Sequence, residues 1–130
     1  MTVPRAAAVF PGAPDQAAGV RRWFTGWLGD GHPAADAGVL LLSEVFSNAC
    51  LHSRSAESGG TVDVVAEVAG RTVRVEVVDG GGGPVSLTAG DPSCDAESGR
   101  GLWLLDLLSE EWGSGPLPDG RFRVHYTVAF

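Results

Sequence analysis

Two short segments of alternating apolar and polar residues constrain the fold of this 130-residue chain most strongly. Residues 61–68 and 72–79 each place valine, or alanine at residue 66, at every second position, and a turn at Gly70-Arg71 separates them. A period of two is typical of a strand with one buried face, and the short connection favours an antiparallel hairpin. The residues predicted to face the core are Val62, Val64, Ala66, Val68, Val73, Val75 and Val77.

Helical periodicity and further strands surround this hairpin. The other predicted elements are an edge strand at 6–10, helices at 14–28, 34–52 and about 101–111, and strands near 110–115 and 121–130. The helix at 34–52 has the clearest apolar stripe, formed by Val39, Leu42, Val45, Phe46 and Ala49. Helices grouped on one face of a mostly antiparallel sheet predict a two-layer α+β sandwich. The chain length predicts a single domain over residues 1–130.

Composition narrows the classes of function. The formal net charge is −7 and the pI is about 4.7, which argues against direct nucleic-acid binding because phosphates attract basic side chains. No apolar run approaches the length of a membrane span, and the first residues lack the apolar core of a signal peptide. We therefore predict a cytoplasmic protein without membrane contact. Its two cysteines, Cys50 and Cys94, lack metal-type spacing and are predicted to be reduced.

A long loop at about 80–99 is the unusual element of the sequence. It follows Asp79, which ends an apolar strand, and it opens with four glycines. It closes with Gly99-Arg100-Gly101, where a helix is predicted to begin. Glycines allow close backbone approach to a ligand, and a helix N-terminus favours an anion. These features predict a lid over an anionic ligand, although a flexible loop and simple helix capping would give similar sequences.

The single asparagine of the chain, Asn48, lies four residues after Glu44 on the second predicted helix. Residues at i and i+4 share a helix face, so the two side chains could hold a water and a hard cation such as Mg²⁺. On spacing alone, a solvated helix face is the commoner explanation. The chain contains no lysine, which excludes a P-loop of the Walker type.

Three motifs in order resemble the conserved boxes of the Bergerat fold, the histidine kinase-like (GHKL) ATPase superfamily. They are Glu44-x-x-x-Asn48-Ala49, Asp79-x-Gly81-x-Gly83 and Gly99-x-Gly101-Leu102, which resemble the N, G1 and G2 boxes. Within the superfamily, the short chain and the residues around these motifs are similar to those of anti-sigma-factor serine/threonine kinases and of short ATP-binding proteins of actinobacteria. The resemblance covers roughly residues 6–130.

The resemblance implies ATP and Mg²⁺ as cofactors. Asn48 would coordinate the Mg²⁺ that bridges the ATP phosphates, and Glu44 would be the general base. Asp79 would accept a hydrogen bond from the adenine amino group. The other implied nucleotide-binding residues are Gly81 and Gly83 near the base, and Gly99, Arg100, Gly101 and Leu102 around the phosphates.

Two classes of function remain open under this resemblance. The first is a kinase that phosphorylates an anti-sigma-factor antagonist and otherwise sequesters a sigma factor. The second is a nucleotide-gated protein-binding module without kinase activity, which is compatible with a lid poor in basic residues and with Phe122 at a position where the family carries threonine. A detached histidine-kinase catalytic domain is a third, less favoured alternative. The resemblance also implies a homodimer formed through the face that carries the first helix.

Overall fold

The computed structural model describes residues 4–29, 31–52, 60–81 and 103–130. Within them, five antiparallel strands form one sheet in the order β1-β2-β3-β5-β4. The strands are β1 Arg5–Pro11, β2 Thr61–Ala69, β3 Thr72–Asp79, β4 Glu111–Pro116 and β5 Phe122–Ala129. Helices cover one face of the sheet, and the predicted α+β fold class is confirmed.

The central hairpin has the predicted register and faces. Gly70 turns the chain between β2 and β3 with a positive φ of 60°, a conformation that glycine adopts without steric cost. The core-facing valines of β3 are buried, while Arg74 and Glu76 form an ion pair of 3.0 Å on the opposite face. Val68 is the exception among the predicted core residues, because it is only half-buried near the end of its strand. β5 adds Val124, Tyr126 and Val128 to the same core.

Two helices pack on the covered face. α1 spans Ala17–Leu28, and a 3-10 turn over Pro14–Gln16 precedes it, so the predicted start at Pro14 is helical but more tightly wound. α2 spans Ala35–His52. Its buried stripe is wider than predicted, because Leu41 and Cys50 also enter the core while Val39 is only half-buried.

Aromatic contacts and one buried hydrogen bond join the helices to the sheet. Phe10 of β1 contacts Trp23 and Phe46 edge-on, with ring centroids 5.9 and 6.2 Å apart respectively. The Tyr126 hydroxyl donates a hydrogen bond of 3.0 Å to the carbonyl of Gly38 in α2. These contacts fix both helices against the sheet. None of the helices within the described ranges is long and apolar enough to cross a membrane.

The third predicted helix ends earlier than expected. Residues 103–108 are helical, but Glu111 already begins β4, so the predicted end at Glu111 was wrong. The physical reason is competition for the backbone, since the Glu110 N–H donates to the carbonyl of Thr127 at 2.8 Å and thereby joins the sheet. Residues 101 and 102, where this helix was predicted to begin, lie outside the described residues.

Candidate functional site

Asp79, the last residue of β3, is the only buried polar or charged residue in the part of the chain that the structure describes. Its exposed fraction is 8%, and it follows the alternation of Val73, Val75 and Val77 toward the helix-covered face. Burial raises the pKa of this carboxyl, and the N–H of Gly81 opposes that shift by donating to Oδ1 at 2.7 Å. Within the described ranges, Asp79 forms no ion pair. A buried acid without a cation is suited to bind a donor group of a ligand.

Gly81 is held in place by the turn between β4 and β5. Its φ is +70°, and a Cβ built on it would lie 2.1 Å from the carbonyl oxygen of Gly120. Antiparallel pairing of Asp79 with Phe122 explains this contact, because counting two residues forward from Asp79 and two residues back from Phe122 brings Gly81 opposite Gly120. Glycine is therefore required here by both backbone conformation and space. The described start of the segment after β3 is therefore packed closely against the β4–β5 turn at Gly81.

Glu44 and Asn48 lie on α2, as predicted, and both are half-buried. Their neighbours Val45 and Ala49 enter the core, so the pair occupies the flank of the helix where it leaves the sheet. The helix packs against β3, the strand that ends in Asp79. The motif that contains Glu44 and Asn48 and the motif that begins with Asp79 therefore lie on two elements that pack against each other, α2 and β3.

The thiol of Cys50 reports electrostatic proximity between α2 and the end of β3. Burial is the main cause that raises its pKa to about 11, and the negative charges of Asp15 and Asp79 raise it further. Cys50 and Asn48 are about 200° apart around the helix, so the two residues flank the buried stripe on opposite sides. The effect of Asp79 on this thiol indicates that the C-terminal part of α2 lies near the end of β3. Convergence of Glu44 and Asn48 with Asp79 in one pocket stays a prediction.

The third motif lies outside the described residues, and so do Gly83, Gly99, Arg100, Gly101 and Leu102. Of the predicted lid at about 80–99, only Gly80 and Gly81 are described. The helical residues 103–108 follow the third motif directly and confirm a helix in this region, whereas its predicted start at about Gly101 lies outside the described residues. The roles of these residues toward phosphate groups stay predictions.

Sequence reasoning missed the network around the β4–β5 turn. The Arg121 side chain pairs with Asp119 at 2.8 Å and with Asp63 of β2 at 3.2 Å. The turn itself was predicted, because the sequence places strands on both sides of Asp119-Gly120. No sequence signal connects Arg121 with Asp63, because the two are 58 residues apart and their contact depends on the strand order.

Asp79 has a side chain suited to a nucleotide base, and Asn48 has one suited to a divalent cation. The buried Asp79 carboxylate offers an acceptor for an exocyclic amino group. Asn48 offers an amide oxygen, which is a suitable ligand for Mg²⁺. No group of three or more His, Cys, Asp or Glu side chains in the described ranges could hold a metal ion. A cation at Asn48 would therefore take further ligands from phosphate oxygens and water.

Comparison with known proteins agrees with this geometry. A family model described as the histidine kinase-like ATPase domain matches residues 10–115, from β1 into β4. No curated protein matches the chain. The family match covers most of the chain and supports an ATP-binding, histidine-kinase-like regulatory role. The chain therefore belongs to the histidine kinase-like ATPase domain family.

Proposed function

We propose that this protein binds Mg·ATP between α2 and the end of β3, with Asp79 as the residue that recognises adenine. The buried carboxylate of Asp79 carries this proposal, since it forms no ion pair in the described part of the chain. The Gly81 N–H occupies one lone pair of Oδ1 and fixes the orientation of the carboxylate. Further lone pairs are then available for the amino group of adenine. Membership of an ATP-binding family supports the same ligand.

The phosphate end of the proposed site involves α2 and the segment before residue 103. Asn48 would hold Mg²⁺, which supplies charge neutralisation to the phosphates when bound. Gly99, Arg100, Gly101 and Leu102 are the proposed cradle, and Gly83 is proposed to lie near the base. Backbone N–H groups and the Arg100 guanidinium would provide its hydrogen bonds to phosphate oxygens.

We infer that the bound ATP serves a serine/threonine protein kinase reaction. Glu44 would accept the proton of a substrate hydroxyl while that oxygen attacks the γ-phosphorus, and ADP would leave with the electrons of the broken bond. The proposed substrate is a small anti-sigma-factor antagonist, and the proposed second partner is a sigma factor that the protein sequesters. The resemblance in the motifs supports both partners. We also propose a homodimer formed through the face that carries α1.

A nucleotide-gated binding module without phosphoryl transfer is the second candidate. Phe122 favours it, because this residue is the cross-strand neighbour of Asp79 and stands where the family carries threonine. The cross-strand neighbour of Asp79 thus supplies no hydroxyl to the proposed adenine contact. In addition, residues 84–98 contain no lysine or arginine to contact a γ-phosphate. In this candidate, ATP controls partner binding and is not consumed.

Calorimetric titration of Mg·ATP tests the binding proposal. We expect saturable binding to the wild type and a loss of at least about tenfold in affinity for Asn48→Ala, since a metal ligand is removed. Ser47→Ala is the matched control, because Ser47 is the half-buried neighbour of Asn48 on α2. Equal binding by the Asn48→Ala and Ser47→Ala variants would contradict the role of Asn48. Absence of wild-type binding would contradict the proposed function.

Phosphate transfer from γ-labelled ATP to candidate antagonist proteins separates the two classes. The kinase proposal predicts labelling by the wild type and its loss in Glu44→Gln, with ATP affinity within about twofold of the wild type. Complex formation that depends on ATP, with no label transferred by either protein, would favour the binding module instead.

A further inference from the structure

We propose that Arg121 is a positioning residue for the adenine end of the site, acting through the β4–β5 turn and without touching the nucleotide. This inference rests on the proposed function, because it assigns Arg121 a role in how Asp79 reads the base. The family match ends at residue 115, so the turn and Arg121 lie outside it. The contacts that link Arg121 to Asp79 all join described residues.

The first step is the shape of the turn. The Gly120 N–H donates to the carbonyl of Leu117 at 2.9 Å, and the Leu117 N–H donates to the carbonyl of Arg121 at 2.7 Å. These two bonds close a hairpin loop of three residues, Pro118 to Gly120, with Gly120 at a φ of +90°. The loop has a defined backbone, so its carbonyl groups have defined directions.

The second step is contact between this loop and the end of β3. The carbonyl of Gly120 lies so near Gly81 that no Cβ would fit between them. Gly81 in turn donates its N–H to Oδ1 of Asp79. A shift of the loop would therefore move Gly81, and a shift of Gly81 would rotate or release the Asp79 carboxylate. Three residues, Gly120, Gly81 and Asp79, form a continuous path of contacts.

The third step is the attachment of the loop to the sheet by Arg121. Asp119 accepts both the Arg121 N–H at 3.0 Å and Nε at 2.8 Å, which binds the side chain to its own loop. Nη1 of the same guanidinium donates to Oδ2 of Asp63 on β2 at 3.2 Å. β3 lies between β2 and β5, so this side chain spans β3 close to Gly80, on the face opposite the helices. Arg121 thus braces the loop against a second strand.

The physical consequence is selectivity for the base. A carboxylate held in one orientation accepts a hydrogen bond from the 6-amino group of adenine and repels the 6-oxo group of guanine. When the brace is removed, Asp79 samples other orientations, and both the attraction and the repulsion weaken. Ion pairs this exposed are individually weak, so a moderate effect is expected.

Nucleotide titrations of the full chain provide the first test. Arg121→Gln and Asp63→Asn should each weaken ATP binding by about three- to fivefold and change GTP binding by less than about twofold, so discrimination falls. The double variant should bind like the single ones, because both substitutions break the same contact. Arg121→Lys should keep part of the wild-type ATP affinity. Arg123→Gln, two residues further along the chain in β5, is the matched control and should bind ATP as the wild type does.

Amide hydrogen exchange of Gly81 in the nucleotide-free protein gives a second readout. Arg121→Gln should raise this exchange rate about threefold or more over Arg123→Gln, and added salt should raise the wild-type rate toward the variant's. Unchanged exchange, or equal weakening of ATP and GTP, would overturn the proposal. If the wild type bound no nucleotide, the proposed function would fail, and the Gly81 exchange rate would still decide whether Arg121 positions this segment.

Discussion

The two halves of the candidate site are built by different means. At the end of β3, Asp79 is buried, holds a backbone N–H and lies beside a glycine with no space for a side chain. On α2, Glu44 and Asn48 are half-buried side chains on the flank of a helix. The first half has a geometry fixed by backbone contacts before any ligand arrives. The second half has rotatable side chains, so its geometry depends on what it binds.

Under the proposed function, this difference would separate recognition of the base from phosphoryl transfer. A carboxylate fixed by the sheet can select a base, since selection requires an acceptor that does not adapt to the wrong ligand. Groups that hold a cation and move a proton must instead follow the phosphates during the reaction. Substitutions near Asp79 should therefore alter stability and base binding together, whereas substitutions at Glu44 should alter chemistry with little effect on stability.

The largest expected effect is that of Gly81→Ala on stability. The new Cβ would meet the Gly120 carbonyl at 2.1 Å, and residue 81 must also keep a φ of +70°. Backbone strain and an overlap with a backbone atom together should lower the unfolding free energy by about 3 kcal/mol. Denaturant titration with an unchanged m-value measures this loss.

Two other glycines distinguish the effect of backbone strain from the effect of the overlap with Gly120. Gly70 has a φ of +60° with open space around its Cβ position, so Gly70→Ala should cost only about 1 kcal/mol. Gly115 has open space and no positive φ, and Gly115→Ala should be nearly neutral. If Gly81→Ala proved no worse than Gly70→Ala, the contact with Gly120 would not be rigid. The contrast between the two halves would then be weaker than the structure indicates.

Asp79→Asn should lower ATP affinity by about 10- to 30-fold, because it replaces a charged acceptor by a neutral one. The same substitution should raise stability at neutral pH. Burial raises the pKa of Asp79 in the folded state, so this group favours folding most below its unfolded pKa. That contribution is lost as the pH rises through the folded pKa, where the buried carboxyl ionises.

Calorimetry and pH-dependent denaturation check both parts of this prediction. The stability difference between Asp79→Asn and wild type should grow as the pH rises through the window between the two pKa values. Glu67→Gln, a half-exposed acid on β2 that forms no ion pair within the described ranges, serves as the control for the loss of a negative charge. A weaker affinity without a gain in stability would mean that the Asp79 carboxyl is better solvated than its burial indicates.

The sequence predicted the sheet better than the contacts around it. Alternation in 61–68 and 72–79 located the central strands because burial of one face imposes a period of two. The third helix was extended too far, since apolar periodicity cannot show that the Glu110 N–H pairs with Thr127 in the sheet. A local pattern of apolar residues predicts local secondary structure. The residue at which a helix ends and a strand begins depends instead on a partner that is distant in the sequence.

The same distinction applies to the candidate site. Asp79 was found because it ends an apolar strand and precedes glycines, which is a signal within a few residues. The brace from Arg121 to Asp63 was not found, because it requires the order of β2, β3 and β5. Motif spacing also placed Glu44 and Asn48 on one helix. Strand order, which decides what faces them, has no comparable signature in a single sequence.

Tyr126→Phe should have an intermediate effect. This residue is fully buried, and its hydroxyl donates to Gly38 on α2, so the substitution removes one buried hydrogen bond between the sheet and that helix. The expected loss of unfolding free energy is about 1 kcal/mol. Thr72→Val is the control, because its hydroxyl makes an exposed bond to Ala69 and should matter less. A reduction in ATP affinity beyond about twofold would show that α2 requires this bond to align Asn48.

Glu44→Gln should have the smallest effect on the folded state, and it is the sharpest test of the comparison. The residue is half-buried on a helix flank and forms no ion pair within the described ranges, so the unfolding free energy should change by less than about 0.5 kcal/mol. Glutamine keeps the shape and helix propensity of glutamate, and only the ability to accept a proton is lost. Denaturant titration of Glu44→Gln and Asp79→Asn side by side measures the contrast directly. Removing the Glu44 carboxylate should leave the unfolding free energy unchanged, whereas removing the Asp79 carboxylate should raise it at neutral pH. A large loss of stability in Glu44→Gln would mean that Glu44 is also fixed by the fold, and that recognition and chemistry are built in the same way.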